Sequence, residues 1–366
     1  MAESLVAAAA RRALGAPGAR IDRVHREPVP YDAFMAGRTL SRLRGTALVD
    51  GGSRPWSMIQ KRTEGPATAS TYLYENARRE FLAYRSGLLL DLAPGVRAAA
   101  VHGLEERPDG SLILWLEDLG QASVPGDAAS ILAAARDLGR LAGTFIDRLP
   151  ALPWLFGGWI ARHSQPEVIE RDLARLGSVR DPGMIARRVG WGIPAAEALM
   201  REQDRLRALL EALPVTLCHH DAVAANVFRT SHGANHDLVL IDWEMVGPGP
   251  VGADLVSLLF SSARRGDTPA RSVPELIGPA LEAYGQGIVE AGGRVDADLL
   301  RRSFHAGVAL RWALARDVML ALDAGTAVRR GSAPEEPPHA ALEELILLTG
   351  VLFDSARAVG VLEGPS

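Results

Sequence analysis

The chain has 366 residues, more than one hydrophobic core usually holds, which predicts two domains or lobes. Its 48% apolar and 23% charged residues are typical of a globular protein, and a net charge of −4 with no long apolar run argues against nucleic acid or a membrane as partner. The single cysteine, Cys218, cannot form an intramolecular disulfide, so we expect a reducing, cytoplasmic setting.

The first third of the chain reads mainly as strands. A surface helix is predicted up to Gly15. Five strands then follow, over residues 21–29, 39–49, 56–62, 96–103 and 111–117. A helical pattern covers residues 75–90, between the third and fourth strands. This order predicts a small β-rich lobe.

Helical patterns dominate beyond Gly120. They cover residues 127–148, 194–212, 274–292, 296–323 and 339–359. A single β-rich segment, residues 215–243, lies among them. The second lobe is therefore predicted to be larger and mainly helical, and the fold class to be α+β.

The β-rich segment carries the chemistry. His219, Asp221 and Asn226 form the pattern H-x-D-x-x-x-x-N, and Asp242 directly follows an apolar strand. Phosphoryl transfer needs a carboxylate to orient the acceptor hydroxyl and take its proton, and oxygen ligands to hold Mg²⁺. We assign the first role to Asp221 and the metal ligands to Asn226 and Asp242. Lys61, the only lysine of the chain, ends a predicted strand.

These motifs, with I-D-W at 241–243 and a Gly-rich turn before Asp254 and Leu255, resemble the aminoglycoside phosphotransferase family, which includes choline-kinase-like small-molecule kinases. The resemblance extends over the whole chain and implies a protein-kinase-like fold with two lobes. It implies a nucleotide-binding lobe over 1–116, a hinge over 117–123, and a helical lobe over 124–366 that holds the catalytic loop and acceptor pocket.

The resemblance also implies roles for individual residues. Lys61 would grip the nucleotide phosphates and pair with Glu80, for which Glu75 is the nearest competitor. The hinge residues Glu117, Asp118 and Leu119 would bind adenine through their backbone. Further contacts to the nucleotide would come from the phosphate-covering loop, at Gly37, Arg38 and Thr39. His219 and Asp254 would support the catalytic loop.

Three positions depart from the family pattern. His220 stands where the signature H-G-D has glycine, the phosphate-covering loop at 35–41 has one glycine, and the usual Asp-Pro before Asp254 is absent. The role of Glu244 stays open between substrate, metal and solvent. Residues 150–192, rich in tryptophan and arginine, either anchor the core or shape the acceptor pocket, where arginines would suit an anionic acceptor.

The expected reaction uses ATP, with GTP as the alternative, and Mg²⁺ to phosphorylate a hydroxyl of a small molecule. An antibiotic, a nucleoside, a sugar and another hydroxylated metabolite stay open as acceptors, as do resistance, biosynthesis and metabolism as roles. Residues 255–366 contain 14 acidic residues and 11 arginines, a weak argument against a polycationic acceptor. The protein is expected to be a monomer or homodimer.

Two other functions compete with the small-molecule kinase. A pseudokinase would bind nucleotide without turnover, but the complete set of catalytic residues argues against it. A protein kinase needs a long peptide-docking segment, and only eleven residues separate Asp242 from Asp254.

Overall fold

The structure is a computed structural model that describes residues 5–30, 37–65, 78–120, 122, 124–232, 235–331, 333 and 335–363. The chain forms two compact units. The first unit comprises Met1–Leu92, Arg97–Ser123 and Val239–Glu244. The second unit comprises Ala93–Val96, Val124–Leu238 and Met245–Ser366.

A five-stranded antiparallel sheet forms the first unit. Its strands, in sheet order β1-β2-β3-β6-β5, are β1 (Arg20–Pro28), β2 (Arg38–Val49), β3 (Gly52–Thr63), β6 (Leu112–Glu117) and β5 (Val101–Glu106). The helix α1 (Leu5–Leu14) covers it, because Ala9 and Ala10 share a buried cluster with Trp56 and Trp115. Burial of these apolar side chains stabilises the unit.

Two predicted elements of the first unit differ from the structure. The helix predicted over 75–90 is observed as α2 (Arg79–Arg85), and residues 75–77 lie outside the described part. The α-helix stops because Gly87 adopts φ 80°, and a short 3₁₀ turn, Leu88–Leu90, follows. The strand predicted over 96–103 divides into β4 (Val96–Ala98) and β5.

The second unit is mainly helical. Its longer helices are α3 (Ala128–Phe145), α4 (Pro166–Gly177), α5 (Pro182–Val189), α6 (Ile193–Arg201), α7 (Gln203–Glu211), α10 (Val273–Glu290), α11 (Ala297–Ala309), α12 (Ala313–Ala324) and α13 (Pro338–Ala358). Helices α3 and α10 approach closely through glycine: a Cβ on Gly139 would lie 2.1 Å from the Tyr284 carbonyl oxygen. The β-rich first unit and helical second unit confirm the α+β class.

Two helices predicted as continuous are broken by side chains. The prediction over 194–212 divides at Glu202, where the Gln203 side chain donates to the Leu199 carbonyl, 3.0 Å away. The prediction over 296–323 divides at residues 310–312, where Arg311 Nη1 donates to the Gly307 carbonyl at 2.6 Å. In both cases a side chain donates to a carbonyl that would otherwise accept from the backbone N–H four residues later in the helix.

Short strands flank the segment that carries the H-x-D-x-x-x-x-N motif. The strand β7 (Val215–Cys218) pairs antiparallel with β10 (Gly247–Pro250), with Cys218 opposite Gly247. The strands β8 (Val227–His232) and β9 (Asn235–Leu240) follow, and α8 (Ala253–Val256) and α9 (Ser262–Arg265) flank a π-helical turn. None of the described helices is long and apolar enough to cross a membrane.

Candidate functional site

Lys61 lies among three carboxylates in the first unit. It is held in the middle of the sheet, opposite Leu40 of β2 and Leu114 of β6, and its side chain is 8% exposed. Its Nζ lies 2.6 Å from Glu80 Oε2, 2.6 Å from Asp242 Oδ1 and 3.3 Å from Glu244 Oε1. A compact ammonium fits this three-sided environment better than a planar guanidinium would.

Glu244 is a member of this cluster that the sequence left open. It is 4% exposed, which rules out the solvent-facing interpretation. Its carboxylate pairs with the Arg38 guanidinium, and its carbonyl accepts a hydrogen bond of 2.6 Å from Arg79 Nη1. Arg38, predicted in the phosphate-covering loop, thus begins β2 with its side chain buried against Glu244. The spacing of residues in the sequence does not reveal this pairing, because it does not show that Arg38 has a buried partner.

The charges of the cluster set the protonation of its carboxyls. Burial and the nearby charge of Asp242 raise the pKa of Glu244. Burial acts in the same direction on Asp242, but Lys61, the hydrogen bond with Glu244, and Arg38 together hold its pKa below the ordinary value. Asp242 therefore carries the negative charge that a cation would meet.

The same carboxylates suit a divalent cation. One oxygen each of Glu80, Asp242 and Glu244 lie within 4.8 Å of one another. Glu80 Oε1 and Glu244 Oε2 are buried without a hydrogen-bond partner among the described residues. Hard carboxylate oxygens are the ligands that Mg²⁺ and Ca²⁺ prefer. Asp242 also adopts φ 65°, a strained conformation that clusters at functional sites.

The predicted hinge residues end β6. The Glu117 N–H donates to the Ala100 carbonyl at 2.8 Å, and its side chain pairs with Arg97. The Asp118 carboxylate accepts from Arg42 Nε at 2.8 Å, and the Leu119 carbonyl accepts from the Ala122 N–H. The Glu117 N–H is therefore occupied within the sheet.

The phosphate-covering loop is only partly described. Residues 31–36, which include the first part of the predicted loop, lie outside the described residues. Gly37 adopts φ 82° and its carbonyl accepts from the Glu64 N–H, while Thr39 is exposed in β2 opposite Arg62.

Asp221 and Asn226 are locked together in the second unit. Asn226 Nδ2 donates to the Asp221 carbonyl and to Asp221 Oδ2, both at 2.9 Å. The intervening 3₁₀ turn, Ala224–Asn226, brings the side chains together over five residues. Because both bonds use the amide nitrogen, the amide oxygen of Asn226 is left to bind a cation.

Asp254 holds the backbone of the segment that precedes Asp221. Its Oδ2 accepts from the His219 N–H at 2.9 Å, and its Oδ1 accepts from the His220 N–H at 2.7 Å. His219 Nδ1 lies 3.3 Å from the Asp221 N–H. The carboxylate of Asp254 and the ring of His219 therefore fix the backbone on both sides of His220.

Comparison with known proteins identifies the family of the chain. A family model described as the phosphotransferase enzyme family matches residues 44–297, more than half of the chain. The chain belongs to this family. The matched range includes Lys61, Glu80, Asp221, Asn226 and Asp242. Membership makes the protein a phosphotransferase of the kinase type.

Solved structures of family kinases show the same fold. A microcompartment-associated aminopropanol kinase is 14% identical with a TM-score of 0.54, over 94% of this chain and 96% of that one. An aminoglycoside phosphotransferase from Alicyclobacillus acidocaldarius is 15% identical, with a TM-score of 0.51 over 92% of each chain. Ethanolamine kinase from Plasmodium vivax is 10% identical, with a TM-score of 0.50 over 92% and 82%. No curated protein matches the sequence.

His220 stands at the position where the signature H-G-D has glycine, and it adopts a backbone conformation that glycine favours. Its φ is 64°, in the left-handed region. Its ring stacks on Trp159 with centroids 5.3 Å apart, and its Nε2 lies 3.1 Å from the Pro248 carbonyl. A Cβ on Gly249 would lie 2.3 Å from His220 Cε1. The backbone strain at His220 is thus offset by ring packing over a neighbouring glycine.

His220→Gly and His220→Ala are expected to lower stability unequally. Both lose the buried ring, which costs about 2–4 kcal/mol, but glycine also relieves the left-handed backbone by about 1 kcal/mol. The alanine variant should therefore be the less stable of the two in urea denaturation. Equal stability would show that the backbone at residue 220 is unstrained.

Asp254→Asn is expected to lower both stability and activity. The amide keeps one acceptor and turns a donor toward the second backbone N–H, which costs about 2–3 kcal/mol. Burial raises the pKa of Asp254 to about 6, against the opposing bonds from His219 and His220. As pH falls through this value the carboxyl gains a proton and loses one of the two bonds, so activity should fall.

The pH–rate profile separates this role from a purely local defect. In the wild type the rate should fall on the acid side of about pH 6. This acid limb should be absent from Asp254→Asn, whose rate should stay uniformly low around that pH. An unchanged acid limb in the variant would assign that limb to another group.

Proposed function

We propose that the protein transfers the γ-phosphate of a nucleoside triphosphate, ATP before GTP, to a hydroxyl of a small molecule. The observation that carries this proposal is the buried Lys61, held between Glu80 and Asp242 at 2.6 Å each. A cation in this place neutralises phosphate charge, and such electrostatic stabilisation, together with positioning, is what a protein contributes to phosphoryl transfer.

Asp221 acts on the acceptor. Its carboxylate accepts the hydroxyl proton while the hydroxyl oxygen forms a bond to the γ-phosphorus. The bond from that phosphorus to the β–γ bridging oxygen breaks, and the nucleoside diphosphate leaves with the electron pair. Asn226 keeps Asp221 in place through its two 2.9 Å bonds.

Asn226 and Asp242 are the proposed ligands of the divalent cation, Mg²⁺ by preference. The cation would neutralise charge on the phosphate oxygens. Glu244 is a third oxygen donor beside Asp242. Lys61 and Arg38 contact these carboxylates and keep the cluster from being purely negative before nucleotide binds.

The family relationship supports further assignments. We propose lobes over 1–116 and 124–366 joined by a hinge over 117–123, whose backbone would bind adenine. The aminopropanol and ethanolamine kinases of the comparison are named for small hydroxylated amines, which supports a small hydroxylated acceptor here. A buried, unpaired Cys218 supports a cytoplasmic setting.

Calorimetry with ATP and GTP tests the nucleotide site. The protein is titrated with each nucleotide, with and without Mg²⁺, beside Asp242→Ala. The wild type should bind one nucleotide, and Asp242→Ala should lose the Mg²⁺-dependent part of the affinity. Asp298→Ala, which removes an exposed carboxylate from α11, is the control for net charge. Failure of both nucleotides to bind at millimolar concentration would overturn the proposal in favour of a non-catalytic module.

A further inference from the structure

Arg311 is a buried cation at the break between α11 and α12. It is 6% exposed, and its guanidinium lies over the ring of Trp159, 5.3 Å from the centroid. Its Nη1 donates to the Gly307 carbonyl at 2.6 Å, while the backbone N–H of Arg311 donates to the Val308 carbonyl. The helix is therefore interrupted where it turns this guanidinium inward.

No carboxylate of the described residues lies within ion-pair distance of Arg311. Two other arginines of the second unit, one buried and one half-buried, differ in this respect. Arg330, also 6% exposed, donates to Glu336 Oε2 at 2.6 Å and lies 3.6 Å from Glu344. Arg316 pairs with Asp172 and Asp317. Arg311 thus lacks the carboxylate partner that Arg330 and Arg316 have. This matters because burying a charge is unfavourable unless it is paired.

More positive charge surrounds Arg311. Burial, with the charges of Arg162 and Arg264, lowers the pKa of Arg311 to about 9, and Asp221 partly opposes them. Burial and the same arginines hold the pKa of His163 well below its ordinary value. Arg264 has its own partner, Asp317, at 3.2 Å. Arg311 therefore lies in a positively charged surrounding, within electrostatic range of Asp221.

The surrounding side chains connect Arg311 to the catalytic segment. The Trp159 ring that lies under Arg311 also stacks on His220, whose ring plane is inclined by 22°. His220 immediately precedes Asp221. The Trp312 indole N–H anchors the next turn by donating to the His163 carbonyl at 2.7 Å. Arg311 and Asp221 are therefore held on one packed framework.

We propose that Arg311, assisted by Arg162, binds an anionic group, a carboxylate or a phosphate, on the acceptor whose hydroxyl Asp221 deprotonates. The planar guanidinium fits either group with paired hydrogen bonds. The inference rests on the proposed phosphoryl transfer and narrows its substrate class to hydroxylated anions. It disfavours polycationic acceptors such as aminoglycosides, because the positive charge of Arg311 would repel them.

A competing role for Arg311 is contact with the γ-phosphate of the nucleotide. The two roles differ in what they predict for neutral acceptors. A contact to the transferred phosphate would lower kcat for every acceptor by the same factor. A contact to the acceptor would lower kcat/KM for anionic acceptors and leave neutral ones nearly unchanged.

The experiment uses matched probes that differ in charge. Glycerate and glycerol 3-phosphate are each compared with glycerol, and 4-hydroxybutyrate is compared with 1,4-butanediol. Binding is measured by ligand-observed NMR and turnover by release of the nucleoside diphosphate. The wild type should prefer the anions, and Arg311→Gln should reduce that preference by about 10- to 100-fold, the value of a charge-assisted hydrogen bond. Glycerate against glycerol 3-phosphate decides between carboxylate and phosphate.

Companion variants separate recognition from folding. Arg311→Lys keeps the charge and should retain part of the preference, and Arg162→Gln, at a half-buried position, should reduce it without opening a cavity. Arg301→Gln makes the same charge change at an exposed position of α11 and should leave the preference intact. Arg311→Gln must still bind nucleotide, and Asp242→Ala must still bind the anionic probes. These two controls distinguish a failure of this inference from a failure of the kinase proposal.

Three results would overturn the inference. One is equal binding of anionic and neutral probes by the wild type, including binding of neither at millimolar concentration. Another is a preference for anions that survives in folded Arg311→Gln. The third is an equal loss of kcat with anionic and neutral acceptors, which would move Arg311 to the nucleotide phosphate.

Discussion

Asp221→Asn is expected to lower kcat by about 10²- to 10⁴-fold, the usual contribution of a positioned general base. The amide cannot take the proton of the acceptor hydroxyl. The substitution preserves shape, and the Asn226 side chain can still donate to the carbonyl of residue 221, as it does at 2.9 Å in the wild type. The loss should therefore appear in kcat and leave nucleotide affinity and thermal stability close to the wild type.

Two variants sharpen the test of Asp221. Asn226→Ala removes both hydrogen bonds to Asp221 and, by the proposal, a metal ligand, so it should lower kcat and also raise the Mg²⁺ concentration needed for activity. Asp298→Asn removes an exposed carboxylate and should change neither. Activity of Asp221→Asn within about tenfold of the wild type would give the base to another residue.

The order of the elements was predictable because it depends on local periodicity. Alternation places the strands of the first unit, and helical spacing places α3, α10 and α13 near their observed bounds. The breaks at Glu202 and Arg311 were not predictable in this way. They arise where a side chain competes for a backbone carbonyl, and both Gln203 and Arg311 are residues that ordinarily suit a helix.

The spacing of the motif residues predicts which residues matter, while the structure shows what they contact. H-x-D-x-x-x-x-N places Asp221 and Asn226 on one short turn because five residues allow little else. Glu244 and Arg38, which pair with each other, are 206 positions apart in sequence, so no local pattern links them. Arg311 did leave a signal, since it is a lone charge in the apolar run Val308–Leu314.

The backbone conformation of the candidate site is another feature that the sequence does not indicate. Asp242 and His220 both have positive φ, at 65° and 64°. A glycine at 220 would have indicated such a turn, and histidine conceals it. Trp159 explains how histidine is tolerated there, and that contact lies about sixty positions away in sequence, beyond any local rule.

Lys61→Met is expected to lower the free energy of unfolding by about 3 kcal/mol and to reduce kcat/KM by at least about 10²-fold. The variant leaves Glu80, Asp242 and Glu244 in a buried cluster without the ammonium that now contacts all three. Removing one partner of a buried ion pair is costly because the remaining charge is uncompensated. Urea denaturation measures the stability and ADP release measures the rate.

A double-mutant cycle identifies the origin of the loss. Lys61→Met with Glu80→Gln removes opposite charges from the same contact, so the double variant should recover much of the stability lost by Lys61→Met but none of the activity. Lys61→Arg keeps the charge and should stay nearly inactive, because a wide fork cannot contact carboxylates at 2.6, 2.6 and 3.3 Å as one ammonium does. If Lys61→Arg were fully active, charge alone would suffice, and the persistence of a single lysine in a chain that otherwise uses arginine would need another cause.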